Sequence, residues 1–378
     1  MPFLNDMHDE MNRRQVEQMR LTEENAGELM PIQPPSAHGI DSRYRFNVDA
    51  IMVSLRSEIL GQNEAVDAVE RMLHIVRADI ADPRRPLQTM LFLGPTGVGK
   101  TELVRALARA LHGNADAFCR VDMNTLSQEH YSAALTGAPP GYVGSKEGTT
   151  ILNQELIEGS LGKPGIVLFD ELEKASDEVI QALLNVFDNG LLTVASGERV
   201  YSFRNTLVFI TSNLGARRLQ AAEERRQKYP FKLLPIPYKQ HRQLLMKMMD
   251  KELLKRFTPE FVNRIDTVTV FNWIHGDVVD SLLELETKRL NRRLRKHNLQ
   301  LRLQTQTQRF VARFGFDRQF GARSLRRAMR HYVEAPLAHF LLTEFSTSND
   351  CPQLLEAYLQ AGKVCFRVVA SDEDQPTP

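Results

Sequence analysis

The chain has 378 residues, is 42% apolar and 25% charged, and carries a formal net charge of +1. These are the proportions of a globular protein of one large domain or two ordinary ones, and the near-zero charge supplies no bulk attraction to nucleic acid or to an anionic membrane. Its three cysteines, Cys119, Cys351 and Cys365, lie far apart and make no C-x-x-C pair, which argues against a zinc site and fits a reducing, cytoplasmic setting.

The amino-terminal stretch MPFLNDMHDEMNRR carries acids and has no continuous apolar core, so it does not read as a signal peptide. No segment is apolar for the length of a bilayer, so no membrane partner is expected. Residues 1–40 read as a flexible leader and linker, with the proline-rich run Met30 to Gly39 as the linker. Within the leader, Met7, Met11, Val16, Met19 and Met30 form a weak amphipathic stripe. A segment that folds on a partner protein and an inert leader are both open readings of it.

The folded part is expected to begin near Tyr44. Residues 47–58 and Asn63 to Arg77 have helical spacing, and Ala81-Asp82-Pro83-Arg84-Arg85-Pro86 is a terminating turn. Met90 to Leu93 is a buried strand. It runs into Gly94-Pro95-Thr96-Gly97-Val98-Gly99-Lys100-Thr101, a complete G-x-x-x-x-G-K-T pattern. The glycines let the backbone turn tightly and leave its amides open to a phosphate. Lys100 has the reach for β- and γ-phosphates, and the Thr101 hydroxyl suits Mg²⁺. The helical run Glu102 to Leu111 follows, its positive end facing the phosphates.

Phe118 to Asp122 reads as a second strand. Gly137 to Gly144 is too rich in glycine and proline for a helix or a central strand. Gly165 to Glu171 is apolar on both faces, as a central parallel strand must be, and ends in Asp170 and Glu171. Carboxylates at that end sit where open α/β sheets bind ligands. Asp170 suits a metal-bound water, and Glu171 suits polarising an attacking water. Ser176 to Phe187 is helical. Thr206 to Asn213 is another buried strand with a polar end, where the Asn213 amide is placed to hold a water or to cap a turn. Residues 220–256 are charged and mostly helical, broken at Tyr229 to Pro237. Thr267 to Phe271 is the fifth strand. From there the pattern turns helical, over Val278 to His297, Thr305 to Phe314 and Ala322 to Leu342. A turn and a closing strand occupy Gln360 to Val369, and 371–378 read as a disordered tail. The expected fold is α/β: a five-stranded parallel sheet between helices over 41–275, then a smaller, mostly helical domain over 276–370.

The stretches ILGQNEAV, ADPRRP, LFLGPTGVGKTEL, GAPPGYVG, LFDELEKA, FRNTLVFITSNLG, FTPEFVNRID and GARSLRRA occur in that order over roughly 55–345. On these motifs the chain resembles the Clp-type AAA+ ATPases, most closely the second ATPase module of ClpB-like disaggregases. The resemblance implies a hexameric ring that uses ATP and Mg²⁺ to unfold or remodel protein substrates. It places Leu60, Gly61 and Gln62 beside the adenine and makes Gly94 to Thr101 the Walker A loop. It makes Asp170 and Glu171 the Walker B pair, Asn213 sensor 1, Arg264 an arginine finger reaching a neighbouring subunit, and Arg323 sensor 2. Gly141, Tyr142, Val143 and Gly144 become the pore loop that grips polypeptide.

Long relatives carry an N-terminal domain, a first ATPase module and a coiled-coil middle domain. Here only the short leader precedes the module, so recruitment is expected to work differently. Peptidase-bound relatives carry an I-G-F or I-G-L tripeptide. Residues 216–256 have none, so the signal for docking to a ClpP-like peptidase is missing. Two rival readings remain at this stage. One is an AAA+ ATPase acting on nucleic acid through the basic run Lys288 to Lys296, which a solvated helix face explains more simply. The other is a nucleotide-gated scaffold, against which the intact Glu171 and Asn213 speak.

Overall fold

The computed structural model describes residues 42–126, 151–193, 200–216, 218, 238–274, 276–317, 321–345 and 353–369. The leader, the tail and the segment holding Gly141, Tyr142, Val143 and Gly144 lie outside the described residues. The chain divides into two compact units. One runs to Gly94 and resumes over Lys100–Phe271; the other joins Pro95–Gly99 to the chain from Asn272 onward.

The first unit opens with two helices, α1 (Val48–Glu58) and α2 (Asn63–Arg77). The Asn47 side chain caps α1 by accepting from the Ala50 amide. Strand β1 (Gln88–Leu93) leads to α3 (Lys100–His112). Next come β2 (Cys119–Asp122), α4 (Gln154–Glu158), β3 (Gly165–Asp170) and α5 (Asp177–Asn189). Gly190 closes α5 in the left-handed region, at φ 65°. A short hairpin of β4 (Leu191–Thr193) and β5 (Val200–Ser202) precedes β6 (Thr206–Ser212). The unit ends with α6 (Tyr238–Arg256), α7 (Pro259–Asn263) and β7 (Thr267–Val270).

Five strands form one parallel sheet in the order β2-β3-β6-β1-β7. Every residue of β3 and β6 is buried, as strands covered on both faces must be. Phe92 packs against Phe209 and Phe271, with ring centroids 5.5 and 5.1 Å apart. Phe187 on α5, Phe257 just after α6 and Phe261 on α7 interlock. Burial pushes the Cys119 thiol up from its ordinary value, which keeps it protonated and inert.

Asn205, just before β6, ties the turn after α4 to Tyr44. Its amide nitrogen donates to the carbonyls of Glu158 and Ser160, at 2.8 and 3.1 Å. Its amide oxygen accepts from the hydroxyl of the fully buried Tyr44, at 2.8 Å.

The second unit holds α8 (Val279–Leu294), β8 (Leu299–Leu303), α9 (Thr305–Gly315), α10 (Ala322–Ala328), α11 (Ala335–Thr343), β9 (Gln353–Gln360) and β10 (Lys363–Val369). A π-helical turn, Met329–Glu334, joins α10 to α11, so the single helix expected over Ala322 to Leu342 is one path with a widened middle. The expected turn at Gln360 is a two-residue hairpin loop, with Ala361 and Gly362 both at positive φ. Its strands extend a three-stranded sheet in the order β10-β9-β8. The side chain of Asn291 on α8 accepts from the Leu301 amide at 2.8 Å and donates to the Leu301 carbonyl at 2.9 Å. The sequence reading missed β8, β9 and the β4–β5 hairpin. β8 is short and follows a charged helix end; β4 and β5 have three residues each.

Gly165, the first residue of β3, lies against α4. A Cβ there would sit 1.8 Å from the Ile157 carbonyl oxygen, and backbone cannot move aside cheaply. Gly165→Ala is expected to cost about 3 kcal/mol, the upper range for overpacking, read as a lower urea midpoint at unchanged m-value.

Candidate functional site

Parallel pairing aligns the carboxyl ends of three strands. Leu93 of β1 lies opposite Ser212 of β6, and Phe169 of β3 lies opposite Ile210. The chain after each strand therefore emerges at the same end of the sheet. Gly94, Asp170, Glu171 and Asn213 all occupy that end.

Gly94, Gly97 and Gly99 adopt φ of 141°, 79° and 107°, conformations that side chains resist. A Cβ on Gly94 would also lie 2.5 Å from the Phe271 carbonyl oxygen. The amide of Gly94 donates to the Ser212 carbonyl, at 3.2 Å. Helix α3 starts at Lys100, whose side chain is buried. Its Nζ donates to the Gly94 carbonyl at 2.6 Å and to Asn213 Oδ1 at 2.8 Å. An ammonium held out of water against carbonyl dipoles at a helix amino terminus suits a polyphosphate, which would supply full negative charge.

Asp170 is also buried. Arg120 of β2 donates to its Oδ2 through Nε at 3.1 Å and Nη2 at 2.6 Å. Thr211 of β6 donates its hydroxyl proton to Oδ1 at 2.5 Å. The same hydroxyl accepts from the Glu171 amide at 3.0 Å. Glu171 sits in the left-handed region, at φ 58° and ψ 50°. For a residue other than glycine this conformation costs of the order of 1–3 kcal/mol. Beyond the turn, Glu173 Oε1 accepts from the Asn213 amide at 3.1 Å. Arg256 of α6 braces the same turn, donating to the carbonyls of Glu173 and Ala175 and pairing with Asp177.

The residues present fit a nucleotide and its metal. The α3 amino terminus offers amides, Lys100 offers a cation, and the Asp170 carboxylate and the Thr101 hydroxyl are both oxygen donors. Such donors suit a hard cation that keeps waters and phosphate oxygens as its other ligands.

Leu60, Gly61 and Gln62 form the turn between α1 and α2, with Gly61 at φ 74° and Gln62 buried. Arg264 stands apart from the cluster around Asp170. It pairs with Asp188 at 2.8 Å, and its side chain is 42% exposed. Its carbonyl accepts from Arg85, which also holds the Phe187 carbonyl. Arg323 is exposed on α10 in the second unit. In that unit the Ala322 amide donates to the Gly97 carbonyl at 3.0 Å. Tyr142 lies outside the described residues. The sequence reading missed Arg120, Thr211 and Arg85. A polar residue inside an otherwise apolar central strand was the available signal for Thr211.

Lys100→Ala removes the only side-chain cation of the loop. It is expected to weaken ATP binding by about tenfold or more, the scale of a charge-assisted bond to phosphate, as measured by titration with a fluorescent nucleotide.

Comparison with known proteins gives concordant matches. Residues 85–268 match the AAA domain (Cdc48 subfamily), and residues 275–351 match the C-terminal, D2-small domain of ClpB protein. An ATP-dependent protease ATP-binding subunit-like protein, AmiB, from Pseudomonas aeruginosa is 62% identical over 369 residues, covering 97% of this chain and 99% of that protein. Chaperone protein ClpB of Oceanobacillus iheyensis is 41% identical over 289 residues, 76% of this chain and 34% of that one. The Saccharomyces cerevisiae Hsp104:casein complex in its extended conformation superposes with a TM-score of 0.69 at 26% identity, over 85% of this chain and 52% of that chain. The chain thus spans about a third of ClpB and half of Hsp104 but nearly the whole of the Pseudomonas relative. It belongs to the Clp-type AAA+ ATPases and corresponds to the second ATPase module of the ClpB-like proteins.

Proposed function

We propose that this protein is an ATP-driven unfoldase or remodelling chaperone, acting in the cytoplasm as a hexameric ring that threads polypeptide past Tyr142. The observation that carries the ATPase chemistry is the joint placement of Lys100, Asn213, Asp170 and Glu171 at one end of the sheet, linked by hydrogen bonds. Support for polypeptide as substrate comes from the relatives: chaperones named ClpB, and Hsp104 solved with casein.

Phosphoryl transfer to water needs positioning and charge stabilisation more than covalent chemistry. In this reading the amides of Gly94 to Thr101 cradle the phosphates, and Lys100 turns from the Gly94 carbonyl to the β- and γ-oxygens. Asp170 and Thr101 would hold Mg²⁺, which neutralises charge on the bridging and terminal phosphate oxygens when bound. Glu171 polarises the attacking water, and Asn213 fixes that water's position from the adjacent strand. Leu60, Gly61 and Gln62 flank the adenine. Arg323 reports the γ-phosphate to the second domain, whose boundary we place at 275/276.

Arg264 acts in trans. Its exposure, and its pairing with Asp188 rather than with Asp170 or Glu171, suit a guanidinium that serves a neighbouring subunit's nucleotide. An arginine supplied this way makes hydrolysis depend on assembly. The leader, residues 1–40, recruits a partner protein in this reading. Its methionines suit an adaptable docking surface.

Glu171→Gln is expected to bind ATP while hydrolysing it about a hundredfold more slowly, the usual contribution of a positioned acid–base group, and to retain captured polypeptide. Near-normal phosphate release from the purified variant would refute the role. Tyr142→Ala is expected to abolish unfolding of a fluorescent, tagged model protein; unfolding at the parental rate would remove Tyr142 from the pore.

A further inference from the structure

Thr211 is buried in the middle of the sheet, 1% exposed, one residue before the end of β6. A hydroxyl there must find partners, and it finds two, the last residue of the neighbouring strand and the residue just past it. Its proton goes to Asp170 Oδ1 at 2.5 Å, and a lone pair accepts from the Glu171 amide at 3.0 Å. One oxygen atom therefore holds the carboxylate of one acid and the backbone of the next.

The backbone it holds is strained. Glu171 is at φ 58°, one of four non-glycine residues with positive φ among those described. In an extended strand, successive side chains point to opposite faces. Left-handed geometry immediately after Asp170 breaks that alternation, so the relative aim of the two carboxylates depends on keeping Glu171 in this well. Arg120 neutralises Oδ2 of Asp170 from the other side but makes no bond that constrains the Glu171 backbone. The Thr211 bond is the one that couples the two.

We propose that Thr211 is a positioning residue for ATP hydrolysis. Its hydroxyl fixes the spacing and relative orientation of the metal-side carboxylate, Asp170, and the water-side carboxylate, Glu171. This rests on the assignment of those two acids given above. Losing the Glu171 contact releases its amide and leaves the turn held from the carbonyl side by the Lys174 amide, at 2.9 Å, so that Glu171 can relax toward negative φ and swing its carboxylate off the water. Losing the Asp170 contact lets its carboxylate rotate toward Arg120, away from a metal.

The test compares Thr211→Val, which removes the hydroxyl at nearly constant volume, with Thr211→Ser, which keeps it. In the valine variant kcat is expected to fall about tenfold or more, part of the loss a misplaced acid–base group causes, with KM for ATP within about threefold of the parent. A second readout needs no turnover: the gain in fluorescent-ADP affinity on adding Mg²⁺ is expected to shrink in the valine variant. Serine is expected to restore both quantities. If the valine protein does not melt cooperatively, Thr211→Ala takes its place with the same expectations.

A valine variant with parental kcat and parental Mg²⁺ gain overturns the proposal. So does a serine variant as impaired as valine, since side-chain shape would then be responsible. Glu171→Gln is assayed beside them. If it is inactive while Thr211→Val is normal, only the role of Thr211 fails; if it turns over normally, the assignment of Glu171 fails and takes this proposal with it.

Discussion

Burial of both faces of one parallel sheet is the constraint on which the rest of this molecule depends. β3 and β6 are covered above and below along their whole length, so along most of that length they tolerate only apolar side chains. Polar chemistry is displaced to the strand ends. Parallel pairing then delivers those ends together, because a register that sets Leu93 beside Ser212 also sets Asp170 near Thr211. The site is the place where the apolar requirement stops, on three neighbouring strands at once. No loop has to be long to assemble it.

The same economy explains how the cluster is kept in shape. Few of its hydrogen bonds are local in sequence. Lys100 meets Asn213, Thr211 meets Asp170 and Glu171, and Glu173 meets the Asn213 amide. Each bond crosses between strands or turns that the sheet has already brought within reach, so ordering them costs little further entropy. Arg256 and Arg85 act one layer out, spending several N–H groups each on carbonyls at helix ends. A guanidinium is suited to this, with its donors in a fixed fork.

Much of this was legible in the sequence, for reasons that differ by element. The strands ending at Leu93, Asp170 and Ser212 are continuous apolar runs, and such runs announce themselves. The phosphate loop is legible because glycine at Gly94, Gly97 and Gly99 marks positive φ, which the backbone adopts. What stayed hidden depends on partners distant in the chain. Arg120 reads as one more exposed charge until β2 is placed beside β3. Thr211 reads as a β-branched residue fit for any strand. β8 and β9 were missed for a similar reason: LQLRL alternates correctly, but its neighbours in the sheet lie some fifty residues away, and a short alternating run means little alone.

Asn291 carries a consequence for how the second unit meets other chains. An unpaired strand edge is a template for any extended segment that arrives beside it. β8 lies at one edge of its sheet, and a carboxamide has the same donor and acceptor as a peptide group. By giving both to Leu301, Asn291 occupies the centre of that edge as a counterfeit strand one residue long. An incoming strand must evict it to pair there. The opposite edge, β10, has no such plug among the described residues and carries charge instead, with Lys363 exposed and Arg367 paired to Glu356 of β9. The two rims of the small sheet thus resist augmentation by different physics. Salt, which screens charge and leaves a pair of neutral amide hydrogen bonds nearly untouched, would weaken the guard on one rim and not on the other.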